Sequence, residues 1–120
     1  MNKNTVLLKK AYYALNTRNI EAALAVMHPN VTWSNGLNGG YINGHDELRD
    51  YWSKQWSIVD SDVEPMEISV DGPGKLVANV RHVVRDLHEN ILEDETLQHT
   101  YLFEDNLIKQ MDITKHPVAV

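Results

Sequence analysis

Apolar residues recur every three or four positions in the first part of the chain and at alternate positions in much of the second half. Residues 4–17 read as a helix, with Leu8, Ala11, Tyr12 and Leu15 on one stripe and Leu7 and Ala14 beside it. Thr17-Arg18-Asn19 breaks this pattern, and Asn19 is suited to cap a second helix over about 20–27 that buries Ile20, Ala23, Leu24 and Met27. Pro29 is expected to end that helix, because the residue before a proline avoids helical angles. Residues 31–35 alternate as a strand, with Val31, Trp33 and Asn35 on one face. The stretch Asn35-Gly36, Asn38-Gly39-Gly40 and Asn43-Gly44 favours positive φ and reads as a loop, with a short strand at Tyr41-Ile42. Residues 45–59 form a third helix. Asp46 and Glu47 occupy its first turn, Leu48, Trp52, Trp56 and Val59 mark its buried stripe, and Gln55 beside them either reaches a pocket mouth or is an ordinary exposed residue.

The remainder predicts strands over 63–70, 75–88, 91–104 and 107–114. Asp71-Gly72-Pro73-Gly74 is a turn, and Glu89-Asn90 and Asp105-Asn106 are two-residue hairpin tips. Helices first and antiparallel strands later imply an α+β fold: a curved antiparallel or mixed sheet wrapped around three N-terminal helices, in one domain spanning 1–120. If Asp105 and Asn106 are the turn, 103 faces 108, 101 faces 110 and 99 faces 112. Directly opposed residues share a side, so His99, Tyr101 and Phe103 join Ile108, Gln110 and Asp112. The same reasoning at Glu89-Asn90 opposes 82 to 97 and 80 to 99, adding Val80, His82, Val84 and Leu97 to the inner face. The outer face then carries Asn79, Arg81, Arg85, Gln98, Thr100, Leu102 and Lys109, mixed with Val77, Val83 and Met111. A half-apolar sheet face of this kind is the sort that meets a second subunit.

Composition narrows the function. The 120 residues include no cysteine, which excludes disulfides, thiolate metal sites and a thiol nucleophile. A net charge of −6 with no basic stripe makes nucleic acid an unexpected partner. No apolar run is long enough for a membrane span and the N-terminal residues lack a signal-peptide pattern, so a cytoplasmic protein is expected, with no membrane contact. The six histidines show no helical metal-ligand spacing, so no metal and no cofactor is expected, although His82, His99 and Asp112 together form a conceivable ligand set. Neither a phosphate-binding glycine motif nor a GxSxG elbow is present.

Several segments in combination resemble the nuclear-transport-factor-2-like superfamily, in its SnoaL-like and ketosteroid-isomerase-like branch. They are residues 14–24 at the first helix junction, His28-Pro29-Asn30-Val31-Thr32-Trp33 at the strand entry, Gly44 through Trp52, and the hairpin over 101–108. Residues 83–87 and 110–113 resemble a subgroup of small bacterial proteins described mainly by this fold. The resemblance implies a conical pocket between sheet and helices, and a homodimer formed through the outer sheet face. The steroid isomerases of this superfamily use an aspartate base, a tyrosine and a protonated aspartic acid. Those positions fall here on Trp33, on Ala11 with Tyr12 one residue away, and on His99, so that activity is not expected.

His99 with Asp112 is the sharpest candidate pair: a carboxylate beside an imidazole fixes its tautomer and raises its basicity. The same pair could instead only fix strand register. His82 reads as a proton shuttle or as a core histidine. Trp33, Trp52 and Trp56, with Tyr12, Tyr51 and Tyr101, form either an aromatic pocket wall or a plain core. Asn35 either orients a ligand carbonyl or serves the turn. The leading expectation is a pocket for a small apolar molecule. Its activity would be that of an isomerase, cyclase or lyase acting on a carbonyl compound, with His99 as base or hydrogen-bond donor and Asp112 orienting it. The alternative is a ligand-binding or dimerisation module without chemistry.

Overall fold

The computed structural model describes residues 2–35 and 39–115; the expected turn positions Gly36 and Asn38 and the 116–120 tail lie outside the described residues. The elements run α1 (Lys3–Asn16), α2 (Ile20–Ala25), β1 (Met27–Ser34), β2 (Tyr41–Asn43), α3 (Gly44–Trp56), β3 (Asp60–Val70), β4 (Lys75–Arg85), β5 (Ile91–Glu104) and β6 (Leu107–Lys115). The six strands form one mixed, curved sheet in the order β2-β1-β6-β5-β4-β3, and its two edges do not meet. All neighbours are antiparallel except β1 and β6, which run parallel. This is the α+β arrangement expected.

Local chemistry sets the helix ends. Asn2 and Asn19 cap α1 and α2, their side chains accepting from the Asn4 and Ala22 amides. α2 is shorter than expected and stops at Ala25, so Pro29 does not end it but lies inside β1. The pairing with β6 skips from Met27 to Thr32, so a proline without an N–H sits where the ladder makes no demand for one. α1 packs over β3 and β6, and α3 over β1 and β2. The core between layers holds Leu8, Ala11 and Leu15 from α1, Leu48 and Trp52 from α3, and Leu76, Ala78 and Val80 from β4.

Two registers differ from expectation. The β4–β5 connection is a five-residue loop over 86–90, in which the Asp86 carboxylate accepts from the amides of His88 (2.8 Å) and Asn90 (3.0 Å). His82 therefore pairs with Glu95 and Ala78 with His99. The shift is two residues, so every side chain keeps its expected face. The β5–β6 hairpin does turn at Asp105-Asn106, both with positive φ, and does pair Phe103 with Ile108. A one-residue bulge then intervenes, and Tyr101 pairs with Met111 and His99 with Ile113. The bulge turns Met111 and Ile113 inward, and Gln110 and Asp112 outward. Met111, expected outside, is 1% exposed. Without the bulge β6 would bury an amide and a carboxylate and expose two apolar side chains.

Candidate active site

A cavity of about 540 Å³ lies between the inner sheet face and the helices, in the size range of small-molecule sites. Its apolar wall is aromatic. Trp52 and Trp56 sit one helical turn apart on α3, so their rings stack with centroids 6.0 Å apart and planes within 8°. Trp33 from β1 meets Trp52 edge-on at 5.6 Å. The Arg18 guanidinium lies 5.3 Å from the Trp56 ring centroid and pairs with Asp60, linking the α1–α2 turn to the end of α3. Asn16 lines the cavity and holds α1 to the sheet: its amide donates to the Val63 carbonyl (2.8 Å) and its oxygen accepts from the Val63 amide (2.9 Å).

The polar end of the cavity is built from α1 and β5. Tyr101 Oη donates to Tyr12 Oη at 2.8 Å, and Tyr12 Oη lies 3.0 Å from His99 Nδ1. A hydroxyl has one proton, so the arrangement that strands none of them runs Tyr101 to Tyr12 to His99. Nδ1 is then the acceptor, and the proton of the neutral ring stays on Nε2. His99 lines the cavity, and Nε2 has no protein partner among the described residues. Burial, reinforced by nearby His82, pushes the His99 imidazolium down to about 3. Burial likewise raises the phenols of Tyr12 and Tyr101. All three groups are neutral near pH 7, and together they present one polarised N–H donor to the cavity.

Most of the residues expected at the site are there: Tyr12, Trp33, Trp52, Trp56, His82, His99 and Tyr101 all line the cavity, with Tyr51 and Gln55. Two are not. Asp112 does not face His99, because the bulge sends it to the outer face, where it accepts from Gln110 Nε2 (2.7 Å) and from the Tyr41 hydroxyl. The His82–His99–Asp112 ligand set falls with it. Asn35 leaves the strand and serves the turn: its amide donates to Gly40 (2.9 Å) and its carbonyl accepts from Gly39 (3.0 Å). Ser34 lines the cavity in its place.

Sequence reasoning missed Glu93 and Glu95, which line the cavity beside His82. Burial lowers the His82 imidazole, and the two carboxylates partly oppose that. Their alternation with Leu97 and His99, Glu93-x-Glu95, was the available signal, since parity turns both inward in either register; the two-residue shift is what sets Glu95 opposite His82.

No helix among the described residues is long and apolar enough to cross a membrane. Among curated proteins none matches the chain in sequence. Solved structures share its fold. A nuclear-transport-factor-2-like protein of unknown function from Burkholderia pseudomallei is 20% identical with a TM-score of 0.84, over 97% of this chain and 92% of that one. TerC, co-crystallised with polyporic acid, is 21% identical with a TM-score of 0.83, over 98% of this chain and 94% of its own. A Mycobacterium tuberculosis protein in complex with estradiol-17beta-hemisuccinate is 13% identical with a TM-score of 0.84, over 98% and 96%. Residues 8–109 match the SnoaL-like domain, and the chain belongs to that family.

Proposed function

We propose that this domain takes a flat, mostly apolar carbonyl compound into the cavity and holds its oxygen on the Nε2–H of His99. The observation that carries this reading is the neutral Tyr101–Tyr12–His99 chain at the end of an aromatic-walled cavity. A preorganised donor stabilises negative charge as it develops on oxygen, which is one half of what enolisation requires. The other half, acceptance of the proton next to the carbonyl, falls to a carboxylate lining the same cavity, Glu93 or Glu95. The activity this serves is that of an isomerase, cyclase or lyase. His99 acts there as hydrogen-bond donor and not as base, since its protonated form is strongly disfavoured. Ligands of two structural relatives, polyporic acid and estradiol-17beta-hemisuccinate, are compatible in kind with this reading.

A second reading, a carrier without chemistry, is favoured by one observation: Asp112 points away, so His99 lacks the carboxylate that would make it a base. Both readings are tested together by titrating the protein with a polycyclic aromatic ketone and with the hydrocarbon lacking its oxygen, following tryptophan fluorescence. The ketone is expected to bind more tightly. His99→Phe is expected to weaken the ketone alone by about ten- to a hundredfold, the loss of one buried hydrogen bond. Equal binding of both compounds to both proteins would end the proposal. Exchange of solvent deuterium next to the carbonyl separates the enzyme from the carrier.

The partner for the outer face is a second copy of the chain. The face carries Val77, Val83 and Leu102 among polar groups, and the Oδ1 of Asn79 is buried there without a hydrogen-bond partner among the described residues. A symmetric interface would cover the apolar groups and satisfy that oxygen.

A further inference from the structure

The cavity has a second polar region. His82 on β4 stands opposite Glu95 on β5, and Glu93 stands opposite Val84, the next inward position. Alternate strand residues share a side, and all three side chains line the cavity. Each offers one ligating atom, and the three atoms lie within 4.8 Å of one another. No hydrogen bond or ion pair engages them among the described residues. Asp94, between the two glutamates, turns outward and is held by Arg81 at 2.7 Å. Two carboxylates are thus aimed at one point in the wall of a chain whose net charge is −6, with only an imidazole beside them.

We propose that His82, Glu93 and Glu95 bind one divalent transition-metal ion in the cavity wall, with zinc the ion best suited to one imidazole and two carboxylates. Zinc binds imidazole nitrogen and carboxylate oxygen at about 2.0–2.2 Å, so donors sharing an ion stand roughly 3–4 Å apart. The observed spacing has to close somewhat on an ion, and the two glutamate side chains, one exposed and one half-buried, are the groups free to turn. Three protein ligands leave a coordination position open toward the cavity, the arrangement of catalytic rather than structural zinc. His28, Glu104 and Asp105 form a comparable group on the surface. There the ring is already engaged: Nε2 is 3.4 Å from Asp105 and 3.6 Å from Glu104, and Nδ1 accepts from the Asn30 amide. That group lies outside the cavity and serves as the control.

The test is calorimetric titration of the full chain with Zn²⁺, with Mg²⁺ as comparison. One Zn²⁺ per chain is expected, with Mg²⁺ binding far weaker. His82→Ala, Glu93→Gln and Glu95→Gln are each expected to weaken Zn²⁺ by at least about tenfold, while His28→Ala leaves it unchanged. Absence of Zn²⁺ binding, binding that survives the glutamine variants, or binding lost in His28→Ala would overturn the proposal. The near-isosteric glutamine variants decide the matter if His82→Ala does not fold. The site rests on the cavity and not on the chemistry assigned to His99, so loss of zinc binding would leave the carbonyl reading standing.

Discussion

His99 is 6% exposed and its ring is held neutral by burial, which makes it a pH-dependent element of stability as well as a candidate ligand donor. The folded value of about 3 lies below the ordinary 6.5. Between these values the unfolded chain binds more protons, so this contribution is complete above the ordinary value and is lost as pH falls toward the folded one. Going from pH 7 to pH 5 is expected to cost about 2 kcal/mol from this residue. Denaturant titrations of wild type and His99→Gln at the two pH values check it. The variant should lose less by about that amount, the remaining loss coming in part from His82, whose imidazole burial also lowers. Parallel losses in the two proteins would show that His99 is not buried neutral. The identity of His99 as a candidate was legible in the sequence, from strand parity alone. Its partner was not, because the phenol of Tyr12 arrives from a helix 87 positions away.

At the scale of elements, α1 is fastened to β3 by a side chain imitating a strand. Asn16 satisfies both backbone groups of Val63, and Asn16→Ala would leave that N–H and C=O unpaired in a part-buried place. A loss of about 2–3 kcal/mol is expected in urea unfolding. A loss below about 0.5 kcal/mol would mean that water replaces the clamp freely. The hairpins show what local pattern can and cannot settle. Asp105-Asn106 was recognisable as a two-residue turn, and both residues adopt the positive φ it needs. The bulge that follows is not settled by local pattern: Ile108 and Met111 are three apart and both are buried, but Leu107, Met111 and Ile113 would equally share one face of an unbroken strand. Unbroken alternation from the turn sets Asp112 beside His99, and the bulge separates them.

For the molecule as a whole, the open sheet turns one face to the helices and leaves the other without a covering layer among the described residues, the face where the proposed dimer would form. The dimer reading predicts that the chain sediments as a homodimer and that Leu102→Arg, at a 39% exposed site on that face, yields a folded monomer. Sedimentation velocity decides this. A wild type that remains monomeric at about ten times the concentration of a typical micromolar association would remove the interface. Introducing the arginine on the outer face leaves the cavity wall untouched, so ketone binding should persist in the monomer. The cavity itself was foreseeable only in kind. Aromatic residues at helical spacing serve a filled core equally well, and the separation between α3 and the inner sheet face decides between them.

Alternation, helical spacing, asparagine caps and turn residues are properties of neighbours along the chain, and they alone determined the α+β class, the element order and the inward face of β4 and β5. Which groups meet in the cavity was decided by packing. A single extra residue in β6 parts Asp112 from His99, a two-residue shift sets Glu95 opposite His82, and the tilt of α1 brings Tyr12 to the imidazole. Such contacts depend on loop length and on the burial of the whole apolar set, which no local window of sequence contains.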